Sequence, residues 1–403
     1  MAGNFITNDM VAKEALMEFK NNLALANMVN RDYDDNFKAP NGDSIRVRKP
    51  TRFTVQDGAT VSSFQQIYQQ YETVTLNKRK HVAIEITEAE RTLDLDSFNR
   101  NIVQPAMLQL ANQVDADLAE AACLINSVVG TPGTPINSFD TINDANVKMN
   151  LMGIPQANRS LTTDPINSGS LQNSLKNFFN TSVNTEILRR GQLGELAGFM
   201  TFMDQNVRTQ TVGDYGGTPL TNGAGQTGST LVTDGWSTSV TGLLKKYDKF
   251  TIAGVYAVNP ITRQSTGQLM QFTVTADVDS DGSGNASIPI SPAINDGTVT
   301  ATAPYQNVSI SIPDGAAIVP VGVANSTYKQ NIAMIPQALT LAVAPLSGPN
   351  GRGAYSKTMR DADAKVSIRM VQDYNINSDA ELFRFDILYA VKCFPEYGCI
   401  VAG

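Results

Sequence analysis

One run of residues has the spacing of a dinucleotide-binding turn. Residues 223–228 read GAGQTG, which satisfies G-x-G-x-x-G, and Asp248 follows about 20 residues later, where an acid would meet a ribose hydroxyl. That chemistry needs a strand leading in and a helix N-terminus leading out, because the helix end holds the pyrophosphate. The surrounding sequence predicts neither, so a flexible loop is expected. A second run, Asp277, Asp279, Asp281 and Gly282, copies the opening of a calcium loop, in which carboxylate oxygens at alternate positions surround a hard cation. Ile288 stands where the closing bidentate glutamate belongs, so DVDSDGSGN is expected to be a solvated turn between two strands.

The remaining reactive types are sparse. A single histidine, His81, lies among Lys78, Arg79 and Lys80; one imidazole cannot assemble a multi-histidine metal site, and no serine or cysteine elbow accompanies it. Two carboxylate pairs, Asp94 with Asp96 and Asp115 with Asp117, are spaced so that the second diverges on a helix, and solvated faces are expected for both. No catalytic residue, cofactor or metal site is assigned. Seven cations, Arg46, Arg48, Lys49, Arg52, Lys78, Arg79 and Lys80, fall on the two arms of a predicted hairpin. Nucleic-acid contact would want aromatic platforms between them, and none is interleaved. An extended hairpin needs support, so these side chains are expected to form salt bridges to a neighbouring subunit.

Bulk properties set the frame for these parts. The chain has 403 residues, enough for two or more domains. Hydrophobic residues make up 42% and charged residues 17%, which leaves uncharged polar surface for meeting other chains. A formal net charge of −7 excludes the global basic field of a dedicated nucleic-acid binder. Cys123, Cys393 and Cys399 match neither a disulfide framework nor zinc spacing and are expected to be reduced core thiols. The N-terminal segment lacks the features of a secretory signal, so synthesis in the cytosol is expected. No window approaches the roughly 18 apolar residues of a membrane span.

Periodicity supplies the elements. Residues 9–30 read as an amphipathic helical arm. Residues 42–55 and 72–86 alternate apolar and polar, with a glutamine-rich connection at 56–71, and are expected to pair as one long hairpin. Thr87 to Glu90 has the form of a capping box, and a long helix is predicted from about Ser97 to Asn126 on the stripe Met107, Leu110, Ala111, Val114, Leu118, Ala121, Ala122 and Ile125. Pro105 predicts either a kink or a helix that begins near it. Short helices, including 168–180 and 184–190, alternate with strands from 140 to 220. Residues 210–230, rich in Gly, Thr, Asn and Gln, are expected to be a mobile loop or a domain junction. Residues 231–335 carry many short alternating runs and predict a small all-β domain inserted in a larger α+β unit. Residues 338–345 are strand-like, 347–364 a loop, and 366–372 and 381–393 two closing strands.

This order resembles the HK-97-type phage capsid fold. Local wording is similar to the coat-protein family typified by the Salmonella phage P22, in RRGQLGELAGFMTFMDQNV at 189–207, KKYDKFTIAGVYAVNP at 245–260, PQALTLAVAPL at 336–346 and FRFDILYAVKCFPEYGCIVAG at 383–403. The resemblance implies an N-terminal arm (1–35), an extended hairpin loop (36–86), a peripheral domain with a spine helix (87–140) and a first axial segment (141–229). An inserted β accessory domain (230–335) and closing strands (336–403) would follow.

As function, the resemblance implies a structural, non-enzymatic major capsid protein. It would self-assemble into hexamers and pentamers of an icosahedral head, on a scaffolding protein and around a portal protein, enclosing double-stranded DNA without sequence specificity. A decoration protein is left open, and no membrane is involved. The chain would be made in the bacterial host cytoplasm and reside in the virion. Two rival readings are disfavoured: a tail-tube component would lack the long spine helix expected here, and a secreted β-rich adhesin would need a signal sequence that the N-terminal segment does not show.

Overall fold

The computed structural model describes residues 8–33, 42–53, 55, 58–59, 64, 67–87, 99–175, 193–299, 302–348, 354–361, 365–377 and 380–403. The chain divides into two compact units: Met1–Val47, Thr73–Ala121 and Leu339–Lys392 form the first, and Arg48–Glu72, Ala122–Ala338 and Cys393–Gly403 form the second.

In the first unit, helix α1 (Asn8–Asn22) buries Val11, Ala12, Ala15 and Phe19 at three and four residue steps. That stripe packs against β17 (Tyr355–Asp361) and β18 (Val366–Asn375). Helix α2 (Gln104–Ala122) begins at Pro105 rather than kinking there, because a first-turn residue has no intrahelical N–H bond to lose. A wider turn, Asn99–Val103, leads into it. The predicted start at Ser97 and the 88–90 part of the capping box lie outside the described residues. Met107, Leu110, Ala111, Val114 and Leu118 are buried, as their spacing required. The sheet runs β16 (Leu339–Ala344), β19 (Ala380–Cys393), β18, β17, and β3 (Lys78–Thr87) adds to β19.

That last pairing corrects the long hairpin. The hairpin is only β1 (Ser44–Arg48) with β2 (Tyr71–Thr75), while β3 turns away and pairs with β19 from Thr87 opposite Ala380 to Lys78 opposite Tyr389. Pro50, which has no N–H, ends the ladder after the Lys49 N–H has bonded the Gln70 carbonyl. At its other end the N–H of Leu76 bonds the Asp43 carbonyl. The 347–364 loop is also corrected, since β17 occupies much of it and pairs in register with β18 from Tyr355 opposite Gln372 to Asp361 opposite Val366. The two closing strands stand as β18 and β19.

The second unit holds two sheets. A seven-stranded mixed sheet runs β4 (Val128–Val129), β20 (Gly398–Ala402), β15 (Thr327–Met334), β5 (Ser160–Thr163), β7 (Phe199–Met203), β6 (Glu195–Leu196), and β8 (Thr209–Thr211) pairs with β15. Helices α3 (Phe139–Leu151) and α4 (Pro165–Leu175) accompany it; the Ser138 hydroxyl caps α3 by accepting the Asp140 N–H. Of the expected helix at 168–180, residues 176–180 lie outside the described residues, as does all of 184–190. Leu161, Phe199, Ile142, Leu171 and Val401 fill the core here.

An antiparallel six-stranded sheet runs β14 (Ile318–Pro320), β11 (Lys249–Val258), β12 (Ser265–Val274), β13 (Ala286–Ile294), β10 (Gly228–Trp236), β9 (Gly217–Thr221). Leu231, Phe250, Phe272 and Ile288 are fully buried in its core. The 210–230 stretch is therefore not one loose loop, since it contributes β8, β9 and the start of β10. GAGQTG forms the turn between β9 and β10. A strand does lead into it, but what leaves is another strand, so it offers no helix end for a pyrophosphate. The turn is pinned: Gly223 N–H bonds Asp314, and the Gln226 amide donates to the carbonyls of Asn222, Gly223 and Val232.

Candidate assembly surface

The hairpin tip carries an unusual load of exposed apolar surface. Phe53, Val55, Phe64 and Ile67 are 58%, 97%, 92% and 74% exposed. Scattered exposed apolar residues are ordinary, but four within fifteen positions of one another are not. Two cations of the same segment meet carboxylates of their own chain. Lys49 Nζ lies 3.3 Å from Glu72 and 3.0 Å from Glu396, and Arg52 Nη2 lies 3.2 Å from Glu396. The Arg52 guanidinium also sits 5.7 Å from the centre of the Tyr305 ring, whose hydroxyl donates to the Tyr68 carbonyl at 2.7 Å. Burial opposes the charge on Lys49, yet Glu396 and Glu72 outweigh it and hold the ammonium above the ordinary lysine range.

The structure separates the seven cations. Arg46, Arg48, Lys49 and Arg52 belong to the hairpin, whereas Lys78, Arg79 and Lys80 open β3 in the five-stranded sheet. Lys78 Nζ reaches Asp117 at 3.2 Å, and the Tyr389 hydroxyl donates to the same carboxylate. Burial, reinforced by that carboxylate, pushes the Tyr389 phenol well up. Arg79 lies 3.5 Å from Asp386, which also accepts from Arg369 and Arg384. Burial alone would raise the Asp386 carboxyl, but those two guanidinium groups hold it below the usual carboxylate range. Among the described residues, Arg48 and Lys80 have no ion-pair partner.

Sequence reasoning placed Asp115 and Asp117 on solvated faces; both are buried. Asp115 sits four residues after Ala111 and four before Ala119, so the helical stripe that predicted the core already contained it. Tyr305 and Glu396 were missed because neither carries a local signal. Asp277, Asp279 and Asp281 each accept a backbone N–H, from Lys246, Gly242 and Ser283 respectively, as a structured turn would. Among the described residues no group of three or more His, Cys, Asp or Glu could hold a metal ion. The three cysteines are buried and form no disulfide. No described helix is long and apolar enough to cross a membrane.

The whole chain, residues 1–403, matches the family model described as P22 coat protein, gene protein 5. The chain belongs to the P22 coat protein family. It is a structural protein of the phage head, self-associates into the capsid shell and resides in the virion. Among solved structures it is similar to that of Mycobacterium phage Che8, at 14% identity over 94% of this chain and 90% of that one, TM-score 0.49. The capsid of Ralstonia phage GP4 is similar at 9% identity over 93% and 86%, TM-score 0.47. The CUS-3 coat protein I-domain is similar at 28% identity, covering 27% of this chain and 98% of that domain, TM-score 0.21. No curated protein matches the chain.

Proposed function

We propose that this coat protein builds hexamers and pentamers of an icosahedral head in the HK-97-type arrangement, with the hairpin tip docking on the adjacent subunit. The exposed apolar quartet Phe53, Val55, Phe64 and Ile67 carries this reading. Arg48 on β1 and Lys80 on β3 offer exposed or half-exposed charge to a neighbour, while Lys49, Arg52, Lys78 and Arg79 divide their charge with carboxylates of their own chain. Such rim charges set register and encounter rate more than affinity. Repetition over many copies turns individually weak contacts into a durable shell.

The strands β9 to β14 are read as the inserted accessory domain. In support, β8 and β15, which flank them in sequence, pair with each other from Thr211 opposite Thr327, so the ends of the insertion lie side by side. Assembly on a scaffolding protein, closure around a portal, non-specific enclosure of double-stranded DNA, a place for a decoration protein, synthesis in the host cytoplasm and the lack of enzymatic activity complete the reading. Its test is co-expression with the scaffolding protein of the same phage, followed by negative-stain electron microscopy of sedimenting material. Closed shells are expected; folded chain that stays soluble beside a confirmed scaffold would falsify the reading.

A further inference from the structure

Among the described residues, the hairpin tip meets its own subunit at Glu396 and Tyr305. Glu396, in the short turn Pro395–Tyr397, receives both Lys49 and Arg52, and Lys49 also reaches Glu72 across the hairpin. Tyr305, in the turn Ala303–Tyr305, meets Arg52 with its ring face, donates to the Tyr68 carbonyl and packs edge-on against the Tyr68 ring, centroids 6.2 Å apart. The turn bearing Tyr305 is itself held, because Arg263 donates to the carbonyls of Ala303 and Pro304. These contacts use charges, a hydroxyl and a ring, and leave Phe53, Val55, Phe64 and Ile67 in solvent. A contact serving to silence the tip would cover those four residues; this one does the reverse.

We infer that Tyr305 and Glu396 are positioning residues that lock the hairpin tip to its own subunit in the pose that offers its apolar residues to a neighbour. The inference rests on the docking role proposed above for the tip. A pre-set arm gives up less conformational freedom on docking, so assembly gains rate and fidelity without any new contact between subunits. Individually the ion pairs and the ring contact are weak, but they share one acceptor and one ring, and together they shift the balance between a fastened and a swinging tip.

The test uses the full-length chain carrying Glu396→Gln with Tyr305→Phe, and separately Arg52→Gln, whose side chain is open enough to leave folding intact. Hydrogen exchange reads the Lys49 N–H, which bonds the Gln70 carbonyl at the base of the tip, and light scattering with the scaffolding protein reads assembly. Exchange at Lys49 is expected to accelerate roughly tenfold in the double variant, with an unchanged melting profile elsewhere. Assembly is expected to slow by a similar factor, with more misclosed shells. Faster exchange with assembly as quick as wild type, or quicker, overturns the inference and leaves the docking role standing. Unchanged exchange overturns it as well. Loss of all shells on replacing Ile67, with latch variants indistinguishable from wild type, separates a docking tip from a positioned one.

Discussion

The Asp115 carboxylate, buried on α2, accepts the N–H of Ala24 at 2.7 Å and the N–H of Ala26 at 2.9 Å, so a single side chain of the long helix caps the turn that follows the N-terminal arm helix. These two amides open the 3-10 turn Leu25–Asn27, and that of Ala26, which is buried, would otherwise lack an acceptor.

Replacing Asp115 by Ala leaves the buried Ala26 amide unsatisfied and should destabilise the first unit by about 1–3 kcal/mol. Asp115→Asn keeps one acceptor oxygen and should cost less. Urea unfolding, with hydrogen exchange at Ala24 and Ala26, checks the order; equal stability in all three chains would mean that the arm is held by its apolar stripe alone.

Lys249 is fully buried, with Nζ 3.0 Å from the Cys123 carbonyl, and burial lowers its ammonium to about 8. The unfolded chain keeps that proton up to the ordinary 10.5, so between these values it binds more protons than the native state. Stability therefore gains from this group as pH rises from about 8 to 10.5, by about 3 kcal/mol in full. Cys399, pushed up to about 12 by burial, works the other way above its ordinary 9.0. The comparison that isolates Lys249 is wild type against Lys249→Met, and the variant should lose the rising component in melts taken across that range.

Asp386 should behave oppositely with pH. Its carboxyl is held below the ordinary 3.8, so it stabilises the fold above that value and loses the contribution as pH falls through the depressed folded one. Asp386→Asn strands Arg369, whose side chain is nearly buried, and should cost about 3–5 kcal/mol at neutral pH while flattening the acid limb of the stability curve. Acid titration of the melting temperature in both chains measures this.

Phe53→Ser with Ile67→Ser removes exposed surface and should move the melting temperature by no more than about 2 °C. Shell yield, counted by electron microscopy after co-expression, should fall to background. Normal shells from this variant would show that the tip does not dock through its apolar side.

Much of the local structure was legible in the chain. Leu110, Val114 and Leu118 announce a helix by spacing, Pro105 announces where it starts, and the alternation of Val82, Ile84 and Ile86 announces a strand, because each signal depends on neighbours a few residues apart. Family membership was legible too, since it rests on wording carried along the whole length. The partner of a strand was not. Alternation tells which side chains of β3 point one way, but not that β19 accepts its edge, from Thr87 opposite Ala380 to Lys78 opposite Tyr389. The same holds for the charges. Arg52 and Glu396 are 344 residues apart, and Lys78 meets a carboxylate that the sequence assigned to solvent. Residue types fix how strongly such groups can bind; only the folded chain, by bringing distant segments within a few ångströms, determines which of them meet.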